Sequence, residues 1–321
     1  MEPLPRGAQF VRSKMLWEIG LDVAGDPDIP YYANRDLCIT VGSGSGDSYK
    51  PWLRMSVGSP ALAKAVVAGD LEMAFVNPSG LLTQAYRGTG MFSEPLPVRV
   101  VANYPSWDRF LIMARPGAGV TSLAQLKAEK KAVRCSIRED ATHSTRVLIE
   151  QLLALYDFSL KDIEAWGGSF QLNGPPMDPR RYAALEENSV DLVFDEGIKG
   201  WLPRAIAAGY WPLSIDEPAL KALEAIGWRR ATIPESRFPG LREDHVCIDY
   251  SGWPLYTRAS VPDEMAYKVC AALKAREAEI PWEEGAYTGL DQLGRDTEAT
   301  PLDVPLHPGA AQWYREQGYI K

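Results

Sequence analysis

Strand-like and helix-like runs follow one another almost without interruption along this chain, and that alternation constrains its fold more than any single residue does. The apolar run "LCITVG" at 37–42 ends in a glycine-rich loop and predicts a buried strand. "PALAKAVVAGD" (60–70) predicts a helix with a glycine stop, and "LEMAFVN" (71–77) the next strand. "PSGLLTQAYRG" (78–88) predicts a helix opened by Pro78, where a missing N–H costs nothing. "PVRVVANY" (97–104) and "RFLIMAR" (109–115) predict strands around a Pro-Ser-Trp turn.

After "PGAGVTS" the texture starts afresh. A short helix ("SLAQLKAEKK"), a strand ("AVRCSI"), a helix from Thr142, a strand ("VDLVFDEG", 190–197) and a helix with an internal proline (200–209) follow in turn. "PALKALEAIGW" (218–228) closes this block; "DHVCIDYSGWPLYTRA" (244–259) predicts paired strands, and 263–280 a long amphipathic helix. Such alternation argues an α/β fold with largely parallel sheets. The 321 residues suffice for two domains, and the 25 prolines and 27 glycines are spread through loops instead of forming one linker. Crossing points near 115–120 and 232–240 predict a discontinuous first domain, 1–116 with 235–321, around a second at 117–234.

A net charge of −8 opposes a nucleic-acid groove, and no basic block interleaved with aromatics exists. No apolar run approaches the roughly 18–20 residues of a membrane span. The N-terminal stretch lacks the apolar core and cleavage site of a secretion signal; Val11, Met15, Ile19 and Val23 recur at helical spacing and predict an extra amphipathic helix. A cytoplasmic location follows if Met1 is the native start, a periplasmic one if a leader has been removed. Cys38, Cys135, Cys247 and Cys270 form no CxxC and read as buried small hydrophobes.

Three stretches carry candidate chemistry. In "TVGSGSGDSYKPW" (40–52) a strand runs into Gly42, Ser43, Gly44, Ser45 and Gly46, whose amides are free to approach an anion; a flexible turn is the alternative. The spacing is neither a dinucleotide fingerprint nor a P-loop. In "SIREDATHSTRVLIEQLLALY" (136–156), Thr142, His143, Ser144 and Thr145 stand where a helix begins and its unpaired N–H groups favour a carboxylate or phosphate. Thr142 or Ser144 is the expected N-cap there, and His143 is an anion partner if charged or a proton relay if neutral. In "VFDEGIKGW" (193–201), Asp195 and Glu196 end a strand, where α/β proteins place ligand contacts. No GxSxG or HExxH occurs, and His143, His245 and His307 give no metal-ligand spacing, so no metal or cofactor is expected.

The tail "LDVPLHPGAAQWYREQGYIK" (302–321) resembles the closing motif of the TAXI family, the extracytoplasmic solute receptors of TRAP transporters. The matching residues are Leu306, His307, Pro308, Gly309, Ala310, Tyr314, Glu316 and Gly318. "ITVGSGSGDSY" is similar to that family's first strand and glycine-serine loop, with Tyr49 in the matching aromatic place; the resemblance runs in order over roughly 37–321. It implies a two-lobed, type II periplasmic-binding-protein-like fold that clamps a ligand by hinge closure. It also implies a helix start at Thr142–Ser144 facing the ligand's anionic group, with Ser43, Gly44, Ser45, Ser48, Tyr49, Asn77 and Ser79 as partners and His307 as a structural residue. Where the family has a Gly-Ser-Gly-Thr-like turn, this chain has Asp140-Ala141-Thr142-His143-Ser144.

The expected function is therefore a solute-binding protein for a small organic anion, a carboxylate or dicarboxylate, delivered to a TRAP-type membrane transporter. Trp107, Trp211 and Trp253 are candidates to cover an aromatic or apolar portion. The alternative is a cytoplasmic enzyme on the same fold, performing proton transfer or decarboxylation, with His143 and Asp195 or Glu196 as acid and base. A cytoplasmic sensor using the N-terminal helix as its contact surface is a third.

Overall fold

The computed structural model describes residues 8–25, 37–44, 46–56 and 60–321. Helix α1 (Ala8–Gly25) precedes strands β1 (Cys38–Ser43) and β2 (Lys50–Ser56), followed by α2 (Leu62–Ala68), β3 (Met73–Phe75) and α3 (Ser79–Arg87). Next come β4 (Val98–Tyr104), β5 (Arg109–Ala114), α4 (Leu123–Glu129), β6 (Arg134–Arg138), α5 (Ser144–Ala154) and α6 (Leu160–Ala165). Then follow β7 (Ser169–Asn173), α7 (Pro179–Glu186), β8 (Leu192–Asp195), α8 (Ile198–Ala207), β9 (Trp211–Pro212), α9 (Glu217–Ile226) and β10 (Arg230–Ile233). The chain closes with β11 (His245–Asp249), β12 (Trp253–Arg258), α10 (Asp263–Ala275) and α11 (Pro308–Glu316).

The α/β class is as the alternation predicts, with two compact units, each on its own sheet. The first unit takes the described residues up to Asn77, with Leu96–Ser106 and Trp253–Lys321; the second takes Pro78–Pro95 and Trp107–Gly252. These boundaries differ from the expected 1–116, 117–234 and 235–321. The reason is pairing: β5 is hydrogen-bonded to β8 and to β11, so 109–114 and 245–249 belong to the second sheet.

In the first unit the strand order is β1-β2-β3-β12-β4. β1 and β2 form an antiparallel hairpin, and β1 is an exposed edge, not the buried strand its apolar run suggested. Cys38 is accordingly exposed, while the other three cysteines are buried. Helices α10 and α11 bury Met265, Val269, Trp313 and Tyr314 in one core with Leu53, Met73, Val101 and Leu255 from the sheet. The terminal motif is structural: His307 caps α11, its Nδ1 accepting from the Gly309 N–H at 3.3 Å, and is fully buried. A Cβ on Gly309 would lie 2.0 Å from the Asp263 carbonyl oxygen, so only glycine fits. Helix α1 carries two apolar stripes. Met15, Ile19 and Val23 recur at i, i+4, i+8 as expected, but Trp17 and Leu21 lie on another face, and all five are exposed.

In the second unit the order is β10-β11-β5-β8-β6-β7, with β9 on β5. Among the described strands only β2/β3, β6/β7 and β6/β8 pair in parallel, so neither sheet is largely parallel. Nor do β11 and β12 pair with each other: β11 joins the second sheet and β12 the first. The core is built by helices with apolar stripes. α5 buries Leu148, Ile149, Leu152 and Leu153 completely, worth roughly 1.5–3 kcal/mol each. α8 does the same with Ile198, Trp201, Leu202 and Ala205, with Pro203 in its interior.

Candidate functional site

One edge of the second sheet gathers the chemistry. The parallel strands β6, β7 and β8 end there at Arg138, Asn173 and Asp195, and α5, α7 and α8 begin just beyond. Antiparallel β5 starts at the same edge and β11 ends there, because Leu111 pairs with Asp195 and Arg109 with Asp249. Strand carboxyl ends facing helix starts are where α/β sheets place ligands.

Arg138 organises this edge. Its Nε donates to Asp195 Oδ1 at 2.9 Å, one Nη to the Gly174 carbonyl and the other to Glu196 Oε1. Arg181 reaches the second oxygen of Asp195 from α7 and donates through Nε to Ser136 Oγ at 3.0 Å. Arg109 pairs with Asp249 at 3.0 Å and donates to Ser251 Oγ at 2.7 Å. All these side chains are buried or nearly so, Asp195 and Arg181 completely. Ion pairs this deep hold geometry well but lose heavily if one partner goes.

The three helix starts are filled differently. At α7, Asp178 caps, accepting from the Arg180 N–H at 2.8 Å. At α8, Asp108 accepts from the N–H groups of Gly197 and Ile198, as close as 2.8 Å. Gly197 is obligatory there: φ is +66°, and a Cβ would sit 2.3 Å from Pro176 Cγ. At α5 the cap is His143, whose Nδ1 accepts from the Thr145 N–H at 3.2 Å. The expected caps were Thr142 or Ser144. Thr142 instead donates its hydroxyl to Asp140 Oδ1 at 2.8 Å and is exposed, while Ser144 is the first helical residue.

Burial, with Arg138 nearby, pulls the His143 pKa below its usual value against the pull of Glu196, Asp195 and Asp140. Its ring is therefore neutral at pH 7, with Nδ1 the acceptor and the proton on Nε2. Burial and then the Glu196 charge push the Asp108 pKa far above the ordinary carboxyl range. Tyr250 is fully buried; its hydroxyl donates to Ser144 Oγ and lies 3.0 Å from Thr145 Oγ1. Burial, with Glu196 beside it, drives its pKa far up. Guanidinium groups of Arg109, Arg138 and Arg181 thus face the carboxylates of Asp195 and Glu196 and the Asp249 carboxyl, whose pKa burial raises.

Of the sequence candidates, this edge brings together His143, Ser144, Asp195, Glu196 and Ser79, whose N–H donates to the Ser251 carbonyl. Ser43, Gly44, Ser48 and Tyr49 belong to the first unit, in the β1–β2 hairpin turn; Gly44 adopts φ +86°, and a Cβ would lie 2.3 Å from the Ser48 carbonyl oxygen. Ser45 lies outside the described residues. Asn77 follows β3, and its side-chain oxygen is buried without a hydrogen-bond partner. Trp107 is buried, with the guanidinium groups of Arg109 and Arg237 4.3 and 3.5 Å from its ring centre; Trp211 and Trp253 are partly exposed. Sequence reasoning missed Asp108, Arg109, Arg138, Arg181, Asp249 and Tyr250. The available signal was an arginine closing the buried strand "RCSIR". Among the described residues no group of three or more His, Cys, Asp or Glu is arranged to hold a metal, and no helix is long and apolar enough to cross a membrane.

Residues 211–318 match the NMT1-like family. Similar solved structures include XAC2383 from Xanthomonas citri bound to chloride ion, at 13% identity and TM-score 0.36 over 80% of this chain and 78% of that one. The alkanesulfonate-binding protein SsuA from Xanthomonas axonopodis pv. citri, bound to MOPS, is 14% identical at TM-score 0.26, over 69% of this chain and 63% of that protein, less than two thirds of its length. Desulfurization enzyme DSZB is 14% identical at TM-score 0.31 over 78% of both chains.

Proposed function

We propose that this protein is a solute-binding protein that holds a small organic anion with its acidic group at the start of α5. One observation carries the reading. Of the three helix starts at the edge of the second sheet, α7 and α8 are filled by carboxyl oxygens of the chain's own Asp178 and Asp108, whereas at α5 the cap is a single imidazole nitrogen on the Thr145 N–H. A helix start keeps unpaired N–H groups and a partial positive charge, so α5 is the place left for an external carboxylate. Ser144 adds a hydroxyl, and the buried ion network keeps the edge rigid. Arg138 is not itself the anion's partner, since all its nitrogens are engaged; it is a positioning residue.

The match of residues 211–318 to the NMT1-like family and the terminal motif's resemblance to TAXI receptors support a binding role. On that reading the ligand is a carboxylate or dicarboxylate, the partner a TRAP-type membrane transporter and the compartment the periplasm. The enzymatic alternative finds less support: Asp195 is closed off by two arginines, and His143 spends its acceptor nitrogen on capping.

Native mass spectrometry of protein from its own host, before and after denaturation, tests the reading by releasing a carboxylate-bearing mass. His143→Asp sharpens it. Aspartate is the better N-cap, so the helix should hold or gain stability, while its charge occupies the anion site and weakens binding of the released ligand by about tenfold or more. Unchanged affinity in His143→Asp, or released masses differing by carbon dioxide or water, would overturn the proposal.

A further inference from the structure

Two of the described helices are capped by a histidine ring. In the first unit, His307 Nδ1 accepts from the Gly309 N–H at 3.3 Å, with the ring fully enclosed. In the second, His143 Nδ1 accepts from the Thr145 N–H at 3.2 Å, with the ring partly open to solvent. A backbone N–H can only donate, so this cap exists only while Nδ1 carries no proton. The oxygens of Ser122, Ser159, Asp178 and Asp216, which cap α4, α6, α7 and α9, accept without that condition near neutral pH.

The surroundings allow the His143 ring a second state. Thr145 Oγ1 lies 3.1 Å from Nδ1, and a hydroxyl donates to a neutral ring or accepts from a charged one. Protonation therefore keeps that contact and gives up only the bond to the Thr145 N–H. The groups around the ring pull in both directions. Burial and Arg138 of β6 oppose its charge, while Glu196 and Asp195 at the end of β8 and Asp140 of the preceding loop favour it. Tyr250, just after β11, adds an uncharged hydroxyl 3.0 Å from Thr145 Oγ1. An acidic group arriving at the start of α5 adds a further negative charge beside the ring and an acceptor for the Thr145 N–H.

We propose that His143 is a proton-linked gate on the α5 anion site: the ligand's carboxylate replaces Nδ1 on the Thr145 N–H, and Nδ1 takes one proton from water. The inference rests on the anion-binding reading above. The ring fills the helix start in the free protein and becomes the anion's counter-charge in the complex. Affinity rises as pH falls toward the value at which the free ring charges, because each bound anion brings one proton with it.

With three histidines in the chain, carbon-13 labelling of histidine gives three ring signals, and His143→Asn identifies one of them. NMR titration of the full chain, also labelled with nitrogen-15 threonine, with and without acetate at constant ionic strength, tests the gate. In the free protein the Thr145 amide should shift with the same midpoint as the His143 ring. His143→Asn, whose side-chain oxygen caps at any pH, should abolish that titration. Acetate should raise the His143 midpoint by about one pH unit, which is about tenfold tighter binding to the charged ring, and leave the enclosed His307 unmoved. In His143→Asn, acetate should bind with the same affinity at about pH 5.5 and pH 7.5. A Thr145 amide indifferent to the ring's charge would overturn the gate. Acetate shifts at the Thr145 amide with the His143 midpoint unchanged would overturn it too, while leaving the anion site standing. If acetate moves that amide at neither pH, the anion site fails and the gate with it.

Discussion

Asp191, just before strand β8, and Asp195, at its end, are four residues apart and sit in different electrostatic settings. Before the strand, Asp191 sits between Arg115 and Arg134, with Nη to Oδ1 distances of 2.8 and 2.9 Å, and also accepts from the Arg134 N–H at 2.9 Å. Burial alone would raise that carboxyl, but the two guanidinium groups win and hold it down to about 2. At the other end, Asp195, Glu196 and Asp108 crowd together, and burial with the Glu196 charge drives Asp108 the opposite way. The first arrangement is a staple joining three strands. The second strains toward like-charge repulsion, the kind of perturbation that concentrates at functional sites. The two ends of one strand therefore answer to different substitutions.

Breaking the two networks should give the largest difference. Arg138→Met strands Asp195 and Glu196 in a buried setting and should cost about 3–5 kcal/mol in urea unfolding. Arg134→Met removes a half-exposed partner while Arg115 still holds Asp191, and should cost about 1 kcal/mol or less. Equal losses from the two variants would show that the Arg138 edge is an ordinary staple.

The pH dependence of stability should run in opposite directions at the two ends. Asp108 is raised when folded, so its contribution is fully present below the unfolded value of about 4 and is lost as pH climbs through the folded value. Asp191 is lowered to about 2, so its contribution is present above about 4 and is lost as pH falls toward 2. Asp108→Asn, which keeps an acceptor for the α8 N–H groups and a donor for Glu196, should flatten the loss on the alkaline side. Asp191→Asn should remove about 1–2 kcal/mol above pH 4 and leave little further loss in acid. Unfolding curves from pH 3 to 9 read both slopes, and slopes of the same sign would break the comparison.

Legibility followed the same division between local and distant. The start of α5, the turn at Gly44 and the end of β8 are set by residues within a few positions, so spacing and composition expose them. Partners were another matter. Arg138 meets Asp195 across 57 positions, and Tyr250 meets Ser144 across 106, through strand pairings that no window of sequence contains. That is also why "DHVCIDYSGWPLYTRA" looked like a hairpin: two adjacent strands joined by Tyr250, Ser251 and Gly252 imitate one, although β11 and β12 are claimed by different sheets. The exposed β1 misled for a third reason. An apolar run and a glycine are compatible with an edge, where burial depends on what pairs outside the strand.

The smallest contrast is between two buried tyrosines. Tyr210, near Asp191, donates to the Val190 carbonyl at 2.7 Å, and burial pushes its pKa up to about 12. Tyr250, at the α5 start, bridges two hydroxyls instead. Tyr210→Phe leaves a buried carbonyl without that donor and should cost about 1–1.5 kcal/mol. Tyr250→Phe leaves Ser144 and Thr145, which can rotate toward other partners, and Thr145 Oγ1 already has His143 Nδ1 at 3.1 Å. Its cost should be about 0.5 kcal/mol, with affinity for the anion released from the native protein reduced about threefold because Ser144 is less firmly aimed. Urea unfolding and calorimetric titration of the two variants measure both quantities. A Tyr250→Phe loss of stability as large as that of Tyr210→Phe, with affinity intact, would mean that this hydroxyl supports the fold and not the site.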